Sequence, residues 1–113
     1  MAYEAFDVVV VPFPFTDRST TKRRPALVLS DLGVINKQVG QSVLAMITSA
    51  NNSDWPLDVD IENLDSAGLP AASVVRMKLF TLDHHLIIRK AGVLAANDRH
   101  SVVTSVRQLL VLT

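Results

Sequence analysis

The chain has 113 residues, enough for a single domain spanning 1–113 with one real core, and small enough to gain from pairing with a second copy. Hydrophobic residues make up 49% of it, which excludes a disordered tail, and no apolar run is long enough to cross a bilayer, so no membrane association is expected. Eleven basic residues balance eleven acidic ones, which counts against a large non-specific nucleic-acid binder but leaves room for a small, locally basic groove.

There are no cysteines, so disulfide staples and thiolate chemistry are excluded. The first residues, MAYEAFD, carry acids and no cationic lead, unlike a secretion signal, and a cytoplasmic location is the expectation.

In chain order, residues 7–11 are apolar on both faces, which predicts a fully buried strand. Pro12-Phe13-Pro14-Phe15 is expected to end it, because prolines cannot donate to a ladder. Residues 16–22 form a polar loop, and 26–29 a second buried strand. Residues 32–41, with Gly33 and Gly40, are a polar connection. Residues 42–49 (SVLAMITS) make a third strand, and Ala50-Asn51-Asn52-Ser53 a loop. Residues 57–61 alternate apolar and acidic side chains, the pattern of a half-exposed strand.

Residues 63–72 are expected to be loop. Residues 73–76 and 79–82 make another strand or a broken pair. Residues 86–94 extend the sheet, with Gly92 at a bulge or bend. Only the tail is helical: Val102, Val103, Val106, Leu109 and Leu110 recur at three-to-four spacing, with Asn97 as the N-cap and Asp98 in the first turn. Short strands followed by one helix predict a mainly β domain, a small, strongly curved sheet or barrel with a C-terminal α-helix.

The stretch from Asp7 to Ser30, DVVVVPFPFTDRSTTKRRPALVLS, concentrates the chemistry. Arg18, Lys22, Arg23 and Arg24 fall within seven positions. Pro25 biases Arg24 toward an extended backbone, so its guanidinium is held at the lip of a strand, a good arrangement for gripping phosphate. The bland alternative is a solvated surface cation. Thr48 and Ser49 close the third strand. Alternation puts them on opposite faces, so at most one faces a given pocket, and strand-end hydroxyls also commonly cap turns. A threonine beside an arginine would offer a hydroxyl donor and a cation to one phosphate.

Arg76 and Lys78 share a strand face and could follow a second phosphate, although a merely exposed face is the commoner explanation. His84-His85 follows Asp83 in a turn without an obvious partner, which argues against a proton shuttle there. No metal-ligand spacing, Gly-rich phosphate loop or nucleophile elbow is present, so neither a metal nor a cofactor is expected. Core packing is the expected fate of Phe13 and Phe15. Trp55, in a polar loop, is the aromatic best placed to meet a partner.

DVVVVPFPFTDRSTTKRRPALVLS, the MITS strand end and SVVRMKLFTLD, in that order and spacing, resemble the MazF/PemK family of bacterial toxins, and the likeness runs through the terminal helix. The resemblance implies a small SH3-like barrel of the CcdB/PemK type with a C-terminal helix, paired as a homodimer. It also implies a metal-independent endoribonuclease, the toxin of a type II toxin–antitoxin pair, which cuts single-stranded RNA (mRNA) and is blocked by a cognate antitoxin protein.

Carried over by position, the family's arginine before proline is Arg24 and its strand-end threonine is Thr48. Ser49 and Arg76 match groove positions in some members. Arg18, Lys22, Arg23 and Lys78 complete the expected RNA-binding set. The chemistry implied is attack by a ribose 2′-hydroxyl to leave a 2′,3′-cyclic phosphate. Phe6 stands where the family usually has glycine, so the turn before the first strand is expected to differ, and Lys78 lies near a position where some members carry an acid. The alternative is a non-catalytic interaction module on the same fold, either gyrase-poison-like or a degenerate toxin that binds RNA or antitoxin.

Overall fold

The computed structural model describes residues 3–13, 22–51 and 54–111. Strands β1 (Asp7–Pro12), β2 (Arg23–Val28), β3 (Gln41–Ser49), β4 (Val59–Asp60), β5 (Ser73–Asp83) and β6 (Arg89–Val93) form one sheet in the order β4-β5-β3-β2-β1-β6. Every pairing is antiparallel. Short helices α1 (Lys37–Val39) and α2 (Leu64–Ala67) interrupt the strands, and α3 (Ala96–Leu110) follows them. This is the expected mainly β, curled antiparallel sheet with a C-terminal helix. None of the described helices is long and apolar enough to cross a membrane.

The central strands are apolar on both faces because each face has its own core. Val8, Leu27, Ala45, Ile47 and Val75 pack on one face with Val102 of α3. Val9, Val11, Ala26, Val28 and Leu44 pack on the other with Tyr3, Leu82 and Ile87. Side chains alternate across a strand. Following that alternation to one end of the sheet therefore puts Arg24, Thr48 and Arg76 on the second face, beyond its apolar part.

Several expectations are corrected. The first strand does not stop at Val11: Pro12 pairs with Arg23, and the Phe13 amide donates to the Lys22 carbonyl at 3.0 Å. The second strand starts earlier than expected, taking in Arg23, Arg24 and Pro25. The prolines are tolerated because donors in an antiparallel pair alternate in direction. Pro12 turns its nitrogen toward β6, which pairs only as far as Val10, and Pro25 turns its nitrogen toward β3, whose pairing with β2 begins at Ala26.

Residues 32–41 are not plain loop. Asp31 accepts the Gly33 and Val34 amides at 2.9 and 3.0 Å and starts a π-helical turn, Leu32–Asn36, that runs into α1. Within residues 63–72, Asn63 caps α2 by accepting the Ser66 amide. Residues 57–61 keep only the two-residue β4 as strand. The pair at 73–76 and 79–82 is one strand, in which Met77 and Lys78 are extra residues between Arg76, opposite Met46, and Leu79, opposite Ala45.

Helix α3 is capped at Ala95, not Asn97, with no side-chain cap. Asp98 lies in the first turn, as expected, and is buried. Its two oxygens accept the Glu62 and Asn63 amides, each at 3.0 Å, which ties the helix to the β4–α2 connection. Phe6 adopts φ 72°, the left-handed region a glycine favours. An aromatic residue thus takes a glycine-like conformation here, with the Arg99 guanidinium 5.5 Å from its ring centroid.

The register of β1 on β6 shifts between Val8 and Val9, placing a bulge next to Gly92 as expected. Gly92 is required for a further reason: a Cβ there would lie 2.4 Å from the Ser66 carbonyl oxygen, against the end of α2. Gly92→Ala is therefore expected to cost about 1–3 kcal/mol through overpacking, read as a lower midpoint of thermal unfolding; an unchanged midpoint would contradict this packing.

His84 does have partners. Its Nε2 is 2.7 Å from the Ser42 hydroxyl, and its ring meets Tyr3 edge to face at 5.2 Å. Burial holds its pKa below the ordinary histidine value, with Asp83 opposing the shift. The unfolded chain then binds a proton that the folded chain refuses, so stability falls as pH drops through about 6.5 and levels once the folded form also protonates. In His84→Gln the slope of the unfolding midpoint between about pH 7.5 and 5.5 should be shallower than in the wild type. Equal slopes would remove His84 from that dependence.

Candidate nucleic-acid interface

At the end of the sheet where β2 begins and β3 ends, a cleft of about 380 Å³ opens between the strands. Lys22, Arg23, Arg24 and Pro25 form one wall, Ile47, Thr48 and Ser49 another, and residues 69–73 a third. The cause is local. Ala26 pairs with Met46, so continuing that register puts Pro25 level with Ile47 and Arg24 level with Thr48. Pro25 has no N–H to give β3. The ladder ends at Ala26, and the two strands are free to part where Arg24 and Thr48 stand.

Arg24 is half-buried, and its guanidinium lies 4.8 Å from the Phe13 ring centroid. An aromatic face under a planar cation limits its freedom while leaving its donors available at the edge. Phe13 was expected to be simple core. Its role at the site depends on the β1–β2 register, which brings Phe13 and Lys22 together across the strand pair and is not written in residue type.

Thr48 is only 8% exposed, so its hydroxyl sits in the wall, whereas Ser49 is open on the lip and accepts the Asn51 amide at 3.2 Å. Both border the same cleft, contrary to the expectation from alternation, because the cleft lies past the strand end and not above one face. None of the described residues lining it is acidic. Among the described lining residues, Lys22, Arg23 and Arg24 therefore face the opening with no acidic side chain beside them, as suits a phosphodiester. The apolar lining of residues 69–72 falls in the stretch expected to be loop, and nothing in its residue types marks it as a wall of the cleft.

The remaining candidates are distributed differently. Arg18 lies outside the described residues. Arg76 and Lys78 are on the same sheet face but outside the cleft. Arg76 is gripped by Asp58: Nε donates to Oδ1 at 3.2 Å and Nη2 to Oδ2 at 2.9 Å. That hydrogen bond raises the Arg76 pKa further above its ordinary value, against the effect of burial. The Arg76 guanidinium and Lys78 Nζ lie 5.6 and 5.3 Å from the centroid of the Trp55 ring.

His84 is not near Arg24. Its partner Ser42 is six residues from Thr48 along β3, about 20 Å at the rise of an extended strand. His85 is engaged by Asp83 at 2.9 Å. Among the described residues no three His, Asp or Glu side chains converge as a metal-binding set.

The architecture is that of known toxins. A MazE–MazF complex from Deinococcus radiodurans is 22% identical with a TM-score of 0.77, covering 100% of this chain and 99% of that one. An endoribonuclease in complex with its cognate antitoxin from a mycobacterial species is 16% identical with a TM-score of 0.76, covering 99% and 96%. The Mycobacterium tuberculosis toxin MazF-mt6 is 19% identical with a TM-score of 0.74, covering 95% and 98%. Likeness at these identities is one of fold. No curated protein sequence matches the chain. Residues 4–110 match the family described as PemK-like, MazF-like toxin of type II toxin-antitoxin system, and with nearly the whole chain inside that match, the protein belongs to this toxin family.

Proposed function

We propose that this toxin is a metal-independent endoribonuclease acting on single-stranded RNA in the cleft between β2 and β3. The observation that carries the reading is the register that sets Arg24 level with Thr48 across an open cationic cleft. A scissile phosphate seated there meets a guanidinium held on Phe13 and a hydroxyl in the facing wall. The neighbouring ribose 2′-oxygen attacks phosphorus as its proton departs, and the bond to the 5′-oxygen breaks as that oxygen gains a proton. The ends are a 2′,3′-cyclic phosphate and a 5′-hydroxyl.

In this proposal Arg24 stabilises the charge that builds on the non-bridging oxygens, and Thr48 donates a hydrogen bond to the same centre. Arginine stays protonated near neutrality, so Arg24 serves as an electrostatic group and not as the base. Lys22, Arg23 and Ser49 align the chain on either side. DNA lacks the nucleophile and is spared. The natural partners are a second copy of the chain and a cognate antitoxin, as in the family to which the protein belongs.

With chelator present, the purified protein should cut single-stranded RNA, and end-mapping should give cyclic phosphate. A single 2′-deoxy substitution at the cut nucleotide should block it. Arg24→Ala should lower the rate by about 10²–10³-fold, the loss typical of one transition-state donor. RNA that is bound but left intact by the wild type would favour the non-catalytic alternative, and full activity in Arg24→Ala would remove that residue from the mechanism. The three cations among the described cleft residues should contribute roughly −2 to the slope of log K against log salt, at about −0.7 per phosphate on a single strand; a slope several times steeper would contradict a short groove.

A further inference from the structure

We propose that Trp55 and Lys78 form a nucleobase-stacking subsite for single-stranded RNA, beside the cleft and built on an Asp58–Arg76 frame. This rests on the ribonuclease reading and adds residues to it. Trp55 is 43% exposed, a large aromatic surface in water on a segment between β3 and β4. It is nevertheless held in place. The Asp58 amide donates to the Trp55 carbonyl at 3.2 Å, and Leu57 between them takes φ 66°. The bidentate pair from Asp58 to Arg76 then fastens this turn to β5. The side chains of that pair are only 12% and 18% exposed.

This geometry divides the two cations. Arg76 is engaged with Asp58 and acts as a positioning residue under the indole. Lys78 is exposed, makes no ion pair among the described residues, and keeps its ammonium 5.3 Å from the ring centroid. A rigid aromatic face with a neighbouring cation is what a stacked base and its phosphate require. The subsite shares a face with the reacting groups: Arg76 stands opposite Met46, two positions along β3 from Thr48, about 7 Å by the strand rise. A nucleotide next to the scissile one could bridge that distance.

The chain has one tryptophan, so its fluorescence reports this site alone. The probe is a single-stranded RNA made uncleavable by 2′-O-methyl substitution, titrated into the intact protein. Saturable quenching is expected, and it should persist in Arg24→Ala, whose cleavage is slowed. Lys78→Ala should weaken binding severalfold and make the salt slope shallower by roughly 0.7. Trp55→Ala should raise KM for cleavage about tenfold with kcat nearly unchanged, the size of one lost stack. Trp55→Phe should restore KM.

RNA that binds without changing the fluorescence, with cleavage indifferent to Trp55→Ala, overturns the subsite and leaves the nuclease reading standing. Quenching by RNA in a wild type that never cuts sustains the subsite and overturns the nuclease reading. Quenching by an acidic peptide and not by RNA overturns the subsite.

Discussion

The site depends on the point at which β2 and β3 stop being hydrogen-bonded to each other. Their ladder covers Ala26–Met46, Leu27–Ala45 and Val28–Leu44, and no further. The next residue toward the site, Pro25, offers no donor to β3, yet its neighbours Arg24 and Ala26 still pair with β1. One strand is thus fixed on one side and released on the other. The released side opens into the cleft, with Arg24 anchored on one edge and Thr48 on the other. A residue able to donate at position 25 could continue the ladder and narrow the gap. The proline therefore acts twice, by extending Arg24 and by ending the pairing beside it.

Charge placement follows the same logic and explains how a chain of zero net charge holds a cationic cleft. Several acids are engaged elsewhere by structural tasks. Asp58 fastens the Trp55 turn, and Asp7 receives Lys90 at 3.2 Å. Asp98 accepts two backbone amides, while Asp31 and Asp83 start short helical turns. The described walls of the cleft contain lysine and arginine without an acid, so the local field differs in sign and strength from anything the total suggests.

Sequence legibility followed the strength of periodicity. Both-face apolarity marked β1, the MITS strand end marked β3, and three-to-four spacing marked α3. Arg24 before proline and Thr48 at a strand end were visible as chemistry, and the resemblance tied them together. Features set by register were not visible. Phe13 beneath Arg24, Ser49 sharing a cleft with Thr48, and the two extra residues of β5 all depend on which residues come level across strands. Local capping was also missed: Asp31 and Asn63 turn stretches that read as polar loop into helical turns, because a side-chain acceptor satisfies amides that a loop leaves to water. Arg76 looked like a free cation because nothing in the spacing announces that Asp58, eighteen residues earlier, closes on it.

The central claim is that Arg24 and Thr48 act on one phosphate, and a double-mutant cycle in single-turnover RNA cleavage tests it most directly. If both groups touch the same transition state, Arg24→Lys combined with Thr48→Val should lose clearly less activity than the product of the two single losses, since the second change removes part of what the first has already disabled. Losses that multiply without coupling would show that the two side chains work apart, and the shared-cleft account would be wrong.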